Sequence, residues 1–68
     1  MAVARVTDII GSSEKSWDDA VQNALDRANQ TLRGLTGLEV TKMNAAIGDD
    51  GKISEYRAHL RITFILEG

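Results

Sequence analysis

The chain has 68 residues, eight Lys+Arg against ten Asp+Glu for a formal charge of −2, and neither cysteine nor proline. That excludes disulfides, thiolate chemistry and Cys-based zinc sites, leaves no concentrated positive surface for a nucleic-acid backbone, and points to a single domain over residues 1–68 with a marginal core. No apolar run approaches the ~20 residues needed to cross a bilayer, and Met1 to Asp8 lack the basic start and apolar block of a signal peptide, so a cytoplasmic protein with no nucleic-acid or membrane partner is expected.

Residues 3–10, Val-Ala-Arg-Val-Thr-Asp-Ile-Ile, predict a first strand, broken by Gly11-Ser12-Ser13. Ser16 is placed to cap a helix, because its hydroxyl can accept an orphan N–H of the first turn. Asp18 and Asp19 then lie where the helix dipole favours negative charge, and Asp19, three residues after Ser16, gives an Asp variant of the capping box. Trp17, Ala20, Val21, Ala24, Leu25, Ala28 and Leu32 fall on one stripe at helical period. Asp18, Gln22, Asn23, Asp26, Asn29, Gln30 and Arg33 occupy the opposite face. Gly34 is expected to end the helix after Arg33.

A second strand is predicted over Leu38 to Ile47, followed by a tight turn at Gly48-Asp49-Asp50-Gly51, where Gly and Asp tolerate positive φ. The third strand, Glu55 to Leu66, alternates with little interruption. Tyr56, Ala58, Leu60, Ile62, Phe64 and Leu66 share one side; Glu55, Arg57, His59, Arg61 and Thr63 share the other. At roughly twice the usual strand length, it is too long for one helix to cover. The order β-α-β-β makes a small α+β domain whose last two strands are antiparallel neighbours. Its helix lies on the apolar side of the third strand. The other sheet face carries Arg57, His59 and Arg61 with the second-strand residues of matching parity. A small domain without covalent staples that leaves so much sheet uncovered is expected to assemble with copies of itself.

Catalytic constellations are missing. His59, the sole histidine, has no partner in the sequence that would make it a base, and reads as a solvated or interface residue. The acidic pairs Asp18-Asp19 and Asp49-Asp50, with Asp8 and Glu14, offer oxygen ligands to a hard cation. No EF-hand spacing is present, so one chain supplies no recognisable site, and each cluster reads first as turn formers or helix N-terminal charges. Trp17 reads as a core or interface anchor. Arg57 and Arg61 can grip an anion or form a salt-bridged face. No enzymatic activity is expected.

Taken in order, Asp8-Ile-Ile-Gly-Ser-Ser13, Ser16-Trp-Asp-Asp-Ala20, Ala28-Asn-Gln-Thr-Leu-Arg33, Leu38-Glu-Val40, the Gly-rich turn, Glu55-Tyr-Arg57 and Phe64-Ile-Leu-Glu67 resemble the dodecin family across the whole chain. The resemblance implies a three-stranded antiparallel sheet wrapped on one helix, and twelve such subunits closing into a hollow homododecamer. In the flavin-binding branch, paired isoalloxazine rings stack between tryptophans of symmetry-related subunits, and a glutamine bonds the ring edge. The resemblance places that tryptophan at Gly37 and that glutamine at Arg57, so this chain lacks both. The Ser16-Trp17-Asp18-Asp19 helix start and Asp8-Ile-Ile-Gly11 are closer to a second branch, which lacks the flavin residues and is linked to calcium. The implied function is non-catalytic storage or buffering of small ligands or ions. A divalent cation, calcium or magnesium, would sit at symmetry axes, with its ligands unassigned. The alternatives are riboflavin or FMN binding in an altered geometry, and a protein-interaction scaffold.

Overall fold

The computed structural model describes residues 3–66; Met1, Ala2, Glu67 of the family-like C-terminal motif and Gly68 lie outside the described residues. Four elements follow in order: strand β1 (Val3–Ser13), helix α1 (Trp17–Thr31), strand β2 (Leu35–Ile47) and strand β3 (Ile53–Leu66). The sheet is antiparallel with spatial order β1-β3-β2. The alternating third strand is therefore central, bonded on both edges. That explains its clean pattern: Ala58, Leu60 and Ile62 are buried on one face while Arg57 and Arg61 stay exposed on the other.

The core is narrow. Ala20, Ala24 and Ala28 of the helix meet Ala58, Leu60 and Ile62 of β3, with Ile9, Val21, Leu32 and Leu35 around them. Three alanines at helical spacing let the helix lie close to the sheet. Closest approach falls at Gly11, where an added Cβ would stand 2.1 Å from the Ala20 carbonyl oxygen and 2.7 Å from the Ala24 Cβ. Gly11-Ser12-Ser13 therefore does not break the first strand, as its composition suggested. The ladder continues through Gly11↔Ala58, Ser12↔Arg57 and Ser13↔Tyr56, and the glycine serves helix contact instead of a turn.

Ser16 caps the helix as expected: its hydroxyl accepts the Asp19 N–H at 3.0 Å. The reciprocal half of the capping box is not formed. The Asp19 carboxylate accepts from the buried Ser13 hydroxyl at 2.6 Å, and the Ser13 oxygen in turn accepts the Lys15 N–H. Ser16→Ala is expected to destabilise the protein by about 1 kcal/mol, read as a lower urea midpoint at fixed protein concentration.

At the other end the helix stops at Thr31, two residues before the expected end. Leu32 turns extended as the C-cap, sends its N–H to the Ala28 carbonyl and packs on the core. Gly34, at φ +72°, then swings the chain into β2, and its carbonyl accepts from Ile65 N at 3.0 Å. Strand β2 starts at Leu35, earlier than its hydrophobic pattern suggested. The Gly48–Gly51 turn forms as expected, closed by Gly48 N to Lys52 O at 2.8 Å, with Gly51 at φ +80°.

The chain is drawn out, not rounded. Its extents are 53 × 20 × 13 Å, and its radius of gyration of 14.1 Å exceeds the ~11 Å of a compact domain of this length. Val3, Val6, Ile10, Leu38, Val40, Met43, Ile47, Ile53 and Leu66 are each more than a third exposed. Leu38 and Val40 pair with Ile62 and Leu60, so they lie on the helix side of the sheet, beyond the reach of the helix.

Candidate functional site

Gly37 lies on β2 opposite Thr63, next to a register shift after Leu35. Its φ is not positive, and nothing stands within 4 Å of where its Cβ would be. Arg57 lies on β3 opposite Ser12 of β1 and Asn44 of β2. Its Nε donates to Glu55 Oε1 at 2.9 Å, with both side chains well exposed, so the pair contributes at most about 1 kcal/mol. Gly37 and Arg57 share a face, because Thr63 and Arg57 have the same parity along β3. Six residues of strand separate their rows, roughly 20 Å. One chain does not bring the two positions together.

Trp17 is committed elsewhere. Its indole N–H donates to the Asn44 carbonyl at 3.0 Å, and its ring meets Tyr56 edge-on with centroids 4.8 Å apart. It ties the start of the helix to β2 from the helix side of the sheet. This is the anchoring role expected of it, and it sets the indole against Tyr56 on the helix side, whereas Gly37 lies on the outer face.

On the opposite sheet face the structure gathers residues that the sequence did not connect. Strand β2 carries a bulge between Val40 and Lys42. Before it, Leu38 and Val40 face the helix; after it, Met43 and Ala45 do, and Lys42 and Asn44 turn to the outer face opposite His59 and Arg57. Simple alternation from Leu38 would have put Lys42 and Asn44 on the helix side. The Asn44 amide nitrogen lies 3.4 Å from His59 Nε2, and the Thr41 hydroxyl donates to the His59 carbonyl at 3.2 Å. Arg61 Nε donates to Asp8 Oδ1 at 3.1 Å. A depression of about 290 Å³ lies here, bordered by Asp8, Ile10, Thr41, His59 and Arg61. No sequence signal announced Lys42 and Asn44 as part of this face, because a bulge at Thr41 leaves no mark in a strand of mixed polarity.

Three of the acidic candidates are engaged within the fold. Asp50 Oδ1 accepts the Lys52 N–H at 2.9 Å inside the turn, Asp19 is held by Ser13, and Asp8 by Arg61. Among the described residues, no three His, Asp or Glu side chains gather closely enough to hold a metal ion. None of the helices in the described residues is long and apolar enough to cross a membrane.

Comparison with known proteins agrees with this architecture. The Dodecin family model matches residues 3–67. Dodecin from Thermus thermophilus is 38% identical over 65 residues, covering 96% of this chain and 93% of that protein. The crystal structure of a point mutant of that dodecin superposes with a TM-score of 0.94 at 37% identity, over 100% of both chains. Calcium dodecin from Mycobacterium tuberculosis is 36% identical over 64 residues, covering 94% of this chain and 89% of that protein. Its crystal structure, described as calcium-chelating with a novel calcium-binding site, superposes with a TM-score of 0.84 at 34% identity, over 96% of this chain and 91% of that one. This second relative is in keeping with the branch suggested by the Ser16-Trp17-Asp18-Asp19 helix start. With a family match over nearly its whole length and two relatives above a third identical, the chain belongs to the dodecin family.

Proposed function

We propose that this protein is a non-catalytic, hollow homododecamer that stores or buffers small ions, with the stacked-flavin site of its family lost. The observation that carries this reading is the open space at Gly37. A stacked ring needs a π-face at that position, and glycine supplies none, nor does any neighbouring side chain reach the space within 4 Å. Arg57 stands where an amide would both donate and accept at the ring edge; a guanidinium only donates. Assembly is supported by the uncovered Leu38 and Val40 on the helix side of β2 and by the exposed apolar residues along both outer strands. A calcium dodecin among the relatives supports calcium as the stored ion. Since no three His, Asp or Glu side chains gather among the described residues of one chain, its ligands would come from several copies around a symmetry axis.

Gel filtration and titration test the reading together. Twelve copies of a 7.4 kDa chain make about 89 kDa. The expected result is an oligomer of that size that leaves riboflavin and FMN fluorescence unchanged at micromolar concentration and takes up calcium in calorimetry. A particle near the mass of one or two chains removes the assembly. Strong flavin quenching by the native protein removes the loss of the flavin site and installs flavin sequestration, with the Arg57 guanidinium against the ring, in its place.

A further inference from the structure

We propose that the outer face of the sheet carries an anion site centred on His59, built for a tetrahedral oxyanion such as a phosphate group and tightened by protonation of the imidazole. The site takes in Arg57, one of the two flavin positions, and so rests on the proposed loss of the flavin site; Gly37 lies outside it. Arg57, His59 and Arg61 stand at alternate positions of β3, about 7 Å apart on one face. Each arginine is held in the same way. Glu55 takes the Nε–H of Arg57 and Asp8 takes the Nε–H of Arg61, so both guanidinium groups are steadied through Nε. No second carboxylate pairs with either arginine among the described residues, and a guanidinium fork suits phosphate and sulfate oxygens.

Lys42 of β2 pairs directly with His59 of β3, is turned outward by the Thr41 bulge, and forms no ion pair among the described residues. The Asn44 amide, whose backbone is fixed from behind by Trp17, stands 3.4 Å from His59 Nε2. Beside His59 and Arg61 is the depression of about 290 Å³, ample for a four-oxygen anion. The charged groups on this part of the face are Asp8 from β1, Glu39 and Lys42 from β2, and Glu55, Arg57 and Arg61 from β3. Three acids face three bases. The charge of the face is therefore set by His59, the side-chain type that changes charge between pH 5 and 8. With the imidazole neutral the face is balanced; with it protonated the face is cationic, and Lys42 and His59 are the two positive groups without a carboxylate in contact.

Sulfate is the probe of choice because it remains a dianion across this pH range. Calorimetry on the intact oligomer, with ionic strength held constant by chloride, is expected to show sulfate binding about tenfold tighter at pH 5.5 than at pH 8. His59→Gln should remove that ratio. Lys42→Gln, an exposed change that leaves the fold undisturbed, should weaken binding severalfold at both pH values, as should Arg61→Gln. Because the chain has a single histidine, its ring resonances in a histidine-labelled sample should move on addition of sulfate and not of chloride. Competition by inorganic phosphate and by glycerol phosphate then identifies the source: whichever displaces sulfate at the lower concentration is the form the site is built to read. Equal response to sulfate and chloride, or a pH ratio that survives His59→Gln, overturns the proposal.

Discussion

Gly11→Ala is expected to destabilise the protein by about 3 kcal/mol, near the upper end for inserting a methyl group into a packed interior. The physical cause is specific. The new carbon would stand 2.1 Å from the Ala20 carbonyl oxygen, a backbone atom that cannot rotate away as a side chain would. Either the helix lifts from the sheet or β1 leaves its register with Ala58. Lifting the helix uncovers the contact of Ala20, Ala24 and Ala28 with Leu60 and Ile62, which is nearly all the fully buried apolar surface the subunit has. The loss should appear as a lower denaturation midpoint in urea at fixed protein concentration, with a decrease in assembled particles if the helix moves. A variant of native midpoint would mean that the helix does not approach the sheet as closely as described.

The second expectation concerns ligand choice. On the proposed reading, placing Gly37→Trp and Arg57→Gln together should confer flavin binding, seen as quenching of riboflavin fluorescence on titration. Each aromatic platform restored contributes roughly 1–3 kcal/mol, taking base stacking as the measure, or about one to two decades in affinity. Both changes suit their surroundings. Gly37 has an ordinary φ and empty space around it, and tryptophan is at home in a strand. Arg57→Gln gives up only an exposed pair with Glu55, so the fold should survive. Gly37→Trp alone should recover most of the gain and Arg57→Gln alone none. The two positions lie six residues apart along β3, on separate rows, so binding should require the assembled particle and disappear on dissociation. A double variant that still assembles but leaves riboflavin fluorescence unchanged would show that these two positions do not make the site.

Much of the architecture was legible because it rests on local periodicity. The apolar stripe from Trp17 to Leu32 could only be a helix with one buried face, and the strict alternation from Tyr56 to Leu66 could only be a strand with one buried face. Ser16 and the Gly48–Gly51 turn marked element ends through hydrogen bonding and backbone freedom, which act within a few residues. The errors fell where a local signal has two meanings. Gly11 read as a break because glycine ends strands more often than it admits a helix, and only the packing of α1 shows that the missing side chain serves a close approach. Asp19 read as the return half of a capping box until the Ser13 hydroxyl, brought near by the continued strand, took its carboxylate. The helix ends at Thr31 and not at Arg33, where Leu32 turns extended and packs, half-buried, against the core.

The candidate site was legible only in outline. Residue identity at Gly37 and Arg57 speaks for itself: no glycine stacks on a ring and no arginine accepts a hydrogen bond. Where those residues stand is another matter. Their separation within one chain, the outward turn of Lys42 and Asn44, and the company they give His59 all follow from strand order and from one bulge at Thr41. The sequence alone determined which elements form, which side chains the helix buries, and that a single chain has too little helix for its sheet, because these depend on side-chain type and spacing. The tertiary structure decided that the long third strand runs through the middle, that Gly11 is a contact and not a turn, and which residues share the outer face. Those outcomes depend on pairing between distant segments, where one extra residue reverses every side chain beyond it.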